Sequence, residues 1–197
     1  MKRAMLLASA SGVLCALALL LASCQKEQPG GPVLSGQNGN GGSILAKEDG
    51  HAPQVPIALQ VPAGNELAFH VFARGVQIYM CNGTFIAPEA TLYNKEGEVV
   101  GKHYAGPTWE SNNGSKVVGA RIANSPSPDP TAIDWLLLKA ALNSGHGKFA
   151  KVTYIQRLNT TGGKASAGVC VNQQMRVPYT AEYYFYRAEE KEDEGDD

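Results

Sequence analysis

Apolar and polar side chains alternate with a period of two through much of the chain. Val76, Ile78 and Met80 share one face, with Gln77, Tyr79 and Cys81 on the other. Val152, Tyr154, Gln156 and Leu158 oppose Thr153, Ile155 and Arg157, and Thr180, Glu182, Tyr184 and Tyr186 oppose Ala181, Tyr183, Phe185 and Arg187. A period of two places successive side chains on opposite faces of a strand. Residues 67–72, 84–86, 91–94, 99–104 and 116–122 read as further strands. Turn formers separate them at Lys95-Glu96-Gly97, Asn112-Asn113-Gly114 and Thr161-Gly162-Gly163. The pattern predicts a mainly β fold: an antiparallel β-sandwich or barrel-like domain with at most one or two short helices. Residues 133–142 fit two descriptions, because Ile133, Leu136, Leu137 and Ala140 have helical spacing within a run apolar enough for a buried strand.

A different pattern occupies the first 23 residues. Lys2 and Arg3 precede an uncharged apolar stretch over 4–21, and Leu21-Ala22-Ser23-Cys24 follows. This is the layout of a secretory signal rather than a spanning helix, since the stretch includes Ser9, Ser11 and Gly12 and lacks a basic stop beyond it. Leu-Ala-Ser-Cys resembles the bacterial lipoprotein signal, in which the Cys becomes the acylated first residue. Lipidation (a palmitate-type modification) is therefore expected at Cys24, with the membrane as a partner through that anchor. Gln25, where an Asp resembles an inner-membrane retention signal, favours the outer membrane of a bacterial cell envelope.

Composition and charge divide the rest. The chain has 197 residues, 44% hydrophobic, 18% charged and a net charge of −1, which suits a globular protein and not a nucleic-acid binder. Residues 24–56 carry a glycine-rich run, Gly36-Gln37-Asn38-Gly39-Asn40-Gly41-Gly42-Ser43, and read as a flexible tether. Residues 57–188 form the β-rich domain, and 189–197 an acidic tail expected to be disordered and solvated. Of four cysteines, Cys15 lies in the signal and Cys24 would carry lipid. Cys81 and Cys170 remain as an even pair in an oxidising compartment, where a disulfide is favoured over two buried thiols.

Several blocks in order resemble a known family. They are Phe85-Ile86-Ala87-Pro88-Glu89-Ala90-Thr91-Leu92, His103-Tyr104-Ala105-Gly106-Pro107-Thr108-Trp109-Glu110, Asp134-Trp135-Leu136-Leu137-Leu138, Gln156-Arg157-Leu158-Asn159-Thr160-Thr161-Gly162-Gly163 and Val177-Pro178-Tyr179-Thr180-Ala181-Glu182-Tyr183-Tyr184-Phe185-Tyr186. Together they resemble the secreted bacterial and fungal domain of unknown function 3455, over roughly 62–187. The resemblance implies secretion and a β-rich domain, and no particular reaction. Relatives often carry Pro where this chain has Asp134. A dehydrogenase label attached to some fungal relatives finds no support, since no Gly-x-Gly-x-x-Gly joins a strand to a helix.

Candidate chemistry is concentrated in two of these blocks. His103, Trp109 and Glu110, with Asn113 and Ser115 nearby, could form a ligand-binding loop, Trp109 stacking on a sugar ring or another flat group. The structural alternative has Trp109 in the core and Glu110 capping a turn or pairing with Arg121. Arg157 could meet a carboxylate, with Glu89 and Glu182 as candidates, or serve a structural turn. No two histidines sit at ligand spacing, so neither a metal nor another cofactor is expected. The expected function is that of a non-catalytic binding or structural module of the envelope, recognising an unidentified ligand or protein partner. The alternative is a hydrolase-like enzyme acting on glycans through His103 and Glu110.

Overall fold

The computed structural model describes residues 51–165, 170 and 173–190. The signal segment, Cys24, most of the tether and most of the acidic tail lie outside the described residues. Eight strands follow one another: β1 (Asn65–Met80), β2 (Phe85–Tyr93), β3 (Val99–Tyr104), β4 (Thr108–Ser111), β5 (Lys116–Ser125), β6 (Trp135–Ser144), β7 (Val152–Gly162) and β8 (Gln174–Ala188). Each pairs antiparallel with the next, and β8 returns to pair with β1, which closes the sheet into an up-and-down barrel. Closure decides between the two β architectures: one continuous sheet curls on itself, and the two-layer sandwich does not form. Helix among the described residues is limited to two 3-10 turns, Ile57–Leu59 and Lys148–Lys151.

The expected strands are present, with four differences, the first being that the segments read as 84–86 and 91–94 are one strand, β2. The segments read as 67–72 and 76–81 are one strand, because Gly75 lets β1 pass within contact of β2: a Cβ there would meet the Glu89 carbonyl and Ala90. Residues 108–111, read as loop, form the short strand β4. Residues 135–144 are strand and not helix. Leu136 and Leu138 face the barrel interior, while Trp135 and Leu137 face outward under a second apolar cluster. Apolar residues on both faces hide the period of two.

That outer cluster is covered by the segment leading into β1. Leu59 is fully buried against Trp135, Leu137, Leu158, Tyr184 and Tyr186. Gln156 lies beneath it, donating from Nε2 to the Leu59 carbonyl at 2.7 Å and accepting at Oε1 from the Tyr186 hydroxyl at 2.7 Å. Its amide thus finds partners in an otherwise apolar layer.

The two ends of the barrel differ. At the base, Phe149 on the second 3-10 turn plugs the interior, packing on Phe69 and Phe185 with ring centroids 5.4 and 5.0 Å apart. Asn143 holds this plug by donating to the carbonyls of Phe149 and Val152. At the opposite end, β1, β2 and β8 outrun their neighbours. β2 pairs with β3 only from Ala90 to Tyr93, and β8 pairs with β7 only from Tyr179 onward. Both strands continue along β1 beyond those points and form a three-stranded lip. Pro88 and Pro178 sit in the lip, where the flanking strand has already ended. The disulfide Cys81–Cys170, with Cα atoms 5.8 Å apart, ties the β1–β2 turn to the segment before β8 at this end.

Candidate functional site

Beneath the lip is a cavity of about 590 Å³, within the ~300–1,000 Å³ of small-molecule sites. Four connections surround this end: β1–β2, β3–β4, β5–β6 and β7–β8. The lip contributes Gln77, Tyr79, Phe85, Ile86 and Pro88 to its lining, and the barrel wall contributes His103, Trp109, Leu136, Leu138, Arg157 and Tyr183.

His103 and Trp109 stand opposite each other on β3 and β4 and stack at 4.4 Å. Both are buried, at 3% and 1% exposure. Tyr183 meets the Trp109 ring edge to face at 5.2 Å. With one indole face held by His103 and Tyr183 packed crosswise, Trp109 has no open face for a sugar ring, and the stacking role expected of it is replaced by a packing role at the cavity wall. His103 Nδ1 lies 2.9 Å from the Thr108 carbonyl. A carbonyl only accepts, so Nδ1 carries the proton and Nε2 is the ring's acceptor. Burial pushes the imidazole down to about pKa 3, the Thr108 hydrogen bond opposes this, and the nearby charge of Arg157 adds to it. At neutral pH the ring is uncharged.

Glu110 follows Trp109 and therefore points through the other side of the sheet. It accepts from the Tyr104 hydroxyl at 2.7 Å and lies 3.6 and 3.4 Å from the ammonium groups of Lys102 and Lys116. The Tyr104 hydrogen bond leads in holding its carboxyl below the usual range, burial opposes, and the two lysines contribute. The acid–base pair of His103 and Glu110 is not formed, because consecutive strand residues occupy opposite faces. Arg121, the other partner weighed for Glu110, lines the cavity. Ser115 is at the far end of the barrel. Fully buried, its Oγ lies 2.8 Å from Ser111 Oγ and accepts from the Phe149 amide, and Asn113 joins the same turn. Ser115 and Asn113 belong to the base plug and not to the cavity.

Arg157 does reach the cavity, but with a different partner from those expected. Its Nε and Nη2 donate to the Asp134 carbonyl at 3.1 and 2.8 Å. Glu89 pairs with Arg176, and Glu182 accepts from the Tyr184 hydroxyl with His70 Nε2 3.2 Å away. The remainder of the Arg157 block is structural. Thr160 Oγ1 donates to the Ile133 carbonyl at 2.6 Å, and Gly163 packs where a Cβ would collide with Tyr179 and Ile133. Tyr79 donates to the Gly163 carbonyl at 2.6 Å, which joins the lip to the end of β7.

A family model described as a protein of unknown function (DUF3455) matches residues 62–187, the strands of the barrel and the walls of its cavity. The chain belongs to this family. No curated protein and no solved structure matches it. The DUF3455 match includes His103, Trp109 and Arg157, the three expected site residues that converge on the cavity. Sequence reasoning did not assign Gln77, Tyr79, Lys164 and Tyr183 to the site, and named Arg121 only as a partner for Glu110, yet all five line the cavity. Alternation did assign Gln77 and Tyr79 to one face. What it lacked was the direction of that face, which barrel closure alone supplies. Among the described residues no group of three or more His, Cys, Asp or Glu side chains is placed to hold a metal ion.

Proposed function

We propose that this DUF3455 chain is a non-catalytic binding module of the bacterial envelope, fastened by lipid at Cys24 and taking a small ligand into the mouth of its barrel. One observation carries the binding reading: a cavity of about 590 Å³ at one end of a barrel whose other end is plugged by Phe149. Barrels that enclose such a space commonly hold one small ligand. The side chains at its wall support binding over catalysis. His103 is held neutral with Nδ1 committed to Thr108, and Glu110 lies on the other side of the wall. The envelope address rests on the lipoprotein-like signal ending at Cys24.

Titration with the uncharged fluorophore 1-aminoanthracene tests the binding reading. It should bind one equivalent with enhanced emission, and Leu136→Trp, which takes up cavity space at a partly buried position, should abolish the signal while circular dichroism stays that of the folded protein. Binding unaltered by Leu136→Trp places the probe elsewhere and removes the reading. Labelling with a palmitate analogue in bacterial cells tests the anchor. The label should vanish in Cys24→Ser, and its persistence would show that Cys24 is not the lipidated residue.

A further inference from the structure

We infer that the ligand is an amphipathic monoanion, its carboxylate held by Arg157 and its apolar body against Phe85, Ile86 and Leu136. This deepens the binding reading above and rests on it.

The argument begins with an uncompensated charge. Arg157 stands on β7 inside the barrel, among the walls of a largely apolar cavity. Arg157 is partly buried there, and a guanidinium partly withdrawn from water gains from an opposite charge that replaces the lost solvation. Among the described residues no carboxylate lies within ion-pair distance of it. Its hydrogen bonds to described residues both end on one neutral acceptor, the Asp134 carbonyl. One side of the fork is thus used for orientation, and the other keeps the geometry that receives a carboxylate through two parallel bonds.

The surroundings repeat the same sign. Arg121 and Lys164, both at the exposed rim, also line the cavity, and among its described lining residues the one acid is Asp134, which accepts from Asn124 Nδ2 at 2.9 Å. Lys164 is oriented by the Pro130 carbonyl, 2.7 Å away. Among these described residues cations outnumber acids, which favours an anion and disfavours an amine.

The neutral polar groups of the wall do not compete for this role. Gln77 Nε2 and the Tyr179 and Tyr183 hydroxyls lie close to one another and are closed off from the cavity space, as is Trp109 Nε1. The charged donor on this stretch of wall is Arg157. A neutral glycan would leave the guanidinium without a counter-charge.

Competition against bound 1-aminoanthracene provides the test, with decanoate, decanol and decyl phosphate as probes on the full-length protein. A charge-assisted hydrogen bond contributes ~1.5–3 kcal/mol, so decanoate should compete about tenfold or more better than decanol. Arg157→Gln can still donate to the Asp134 carbonyl but carries no charge. It should keep the fluorophore and bring decanoate and decanol within about twofold of each other. Equal competition by decanoate and decanol in the unmodified protein, a comparison that needs no variant, would overturn the inference. So would a carboxylate preference that survives Arg157→Gln, or decyl phosphate outcompeting decanoate about tenfold. Loss of the fluorophore signal from the unmodified protein would instead remove the cavity-binding reading itself, so the two failures are distinguishable.

Discussion

His103 carries the most testable electrostatics in the barrel. Unfolded, an imidazole titrates near 6.5, and in the folded protein burial lowers this to about 3. Between those values the unfolded chain binds a proton that the folded chain refuses. Stability is therefore whole above pH 6.5 and declines as pH falls, by ~1.4 kcal/mol per unit. His103→Phe keeps a flat ring beside Trp109 and has no proton to bind. Urea unfolding at pH 7 and pH 5 should show the unmodified protein losing about 2 kcal/mol relative to the variant. Parallel pH dependence in both proteins would refute neutral burial. At this scale the sequence grouped polar and aromatic residues in one block and was silent about which face each residue took. His103 and Trp109 line the cavity, yet adjacent Glu110 sits behind the wall, since strand geometry reverses direction at every step.

Elements were legible where residue types alternate along the strand, even under the outer cluster that buries Gln156, Leu158, Tyr184 and Tyr186. β7 and β8 showed their alternation plainly, and their glycine turns marked the joins. β6 was ambiguous because the interior packs on Leu136 and Leu138 while the segment before β1 covers Trp135 and Leu137. No local pattern announces a covering segment that comes from seventy-odd positions upstream. β4 was missed because four residues are too few to display a period. The covering segment is itself open to test. Leu59 is fully buried, so Leu59→Ala should cost ~2–5 kcal/mol by denaturant unfolding. A loss under ~0.5 kcal/mol, ordinary for a surface site, would mean that the outer cluster does not depend on this cover.

For the molecule as a whole, β composition and glycine turns pointed to a closed sheet or a sandwich, and only the return pairing of β8 with β1 selects the barrel. The Cys81–Cys170 bridge was legible from cysteine arithmetic, though not its place at the cavity mouth. It spans 89 positions, so the double variant Cys81→Ala, Cys170→Ala should lose up to ~4.6 kcal/mol in the chain-entropy description. An unchanged urea midpoint would exclude a stabilising role for the bridge. The protruding lip has a cost of its own. Closing the barrel removes most free edges, but β2 and β8 run past their neighbours, and each bare flank could template pairing with a second molecule. Proline cannot donate to such a ladder, and one stands on each flank, Pro88 and Pro178. The double variant Pro88→Thr, Pro178→Thr should leave the monomer folded but make its mass in light scattering climb with concentration; a mass identical to that of the unmodified protein at every concentration would show that the flanks need no guard. The end of the barrel that holds the cavity is thus also an end where its edges lie open to pairing with a second molecule.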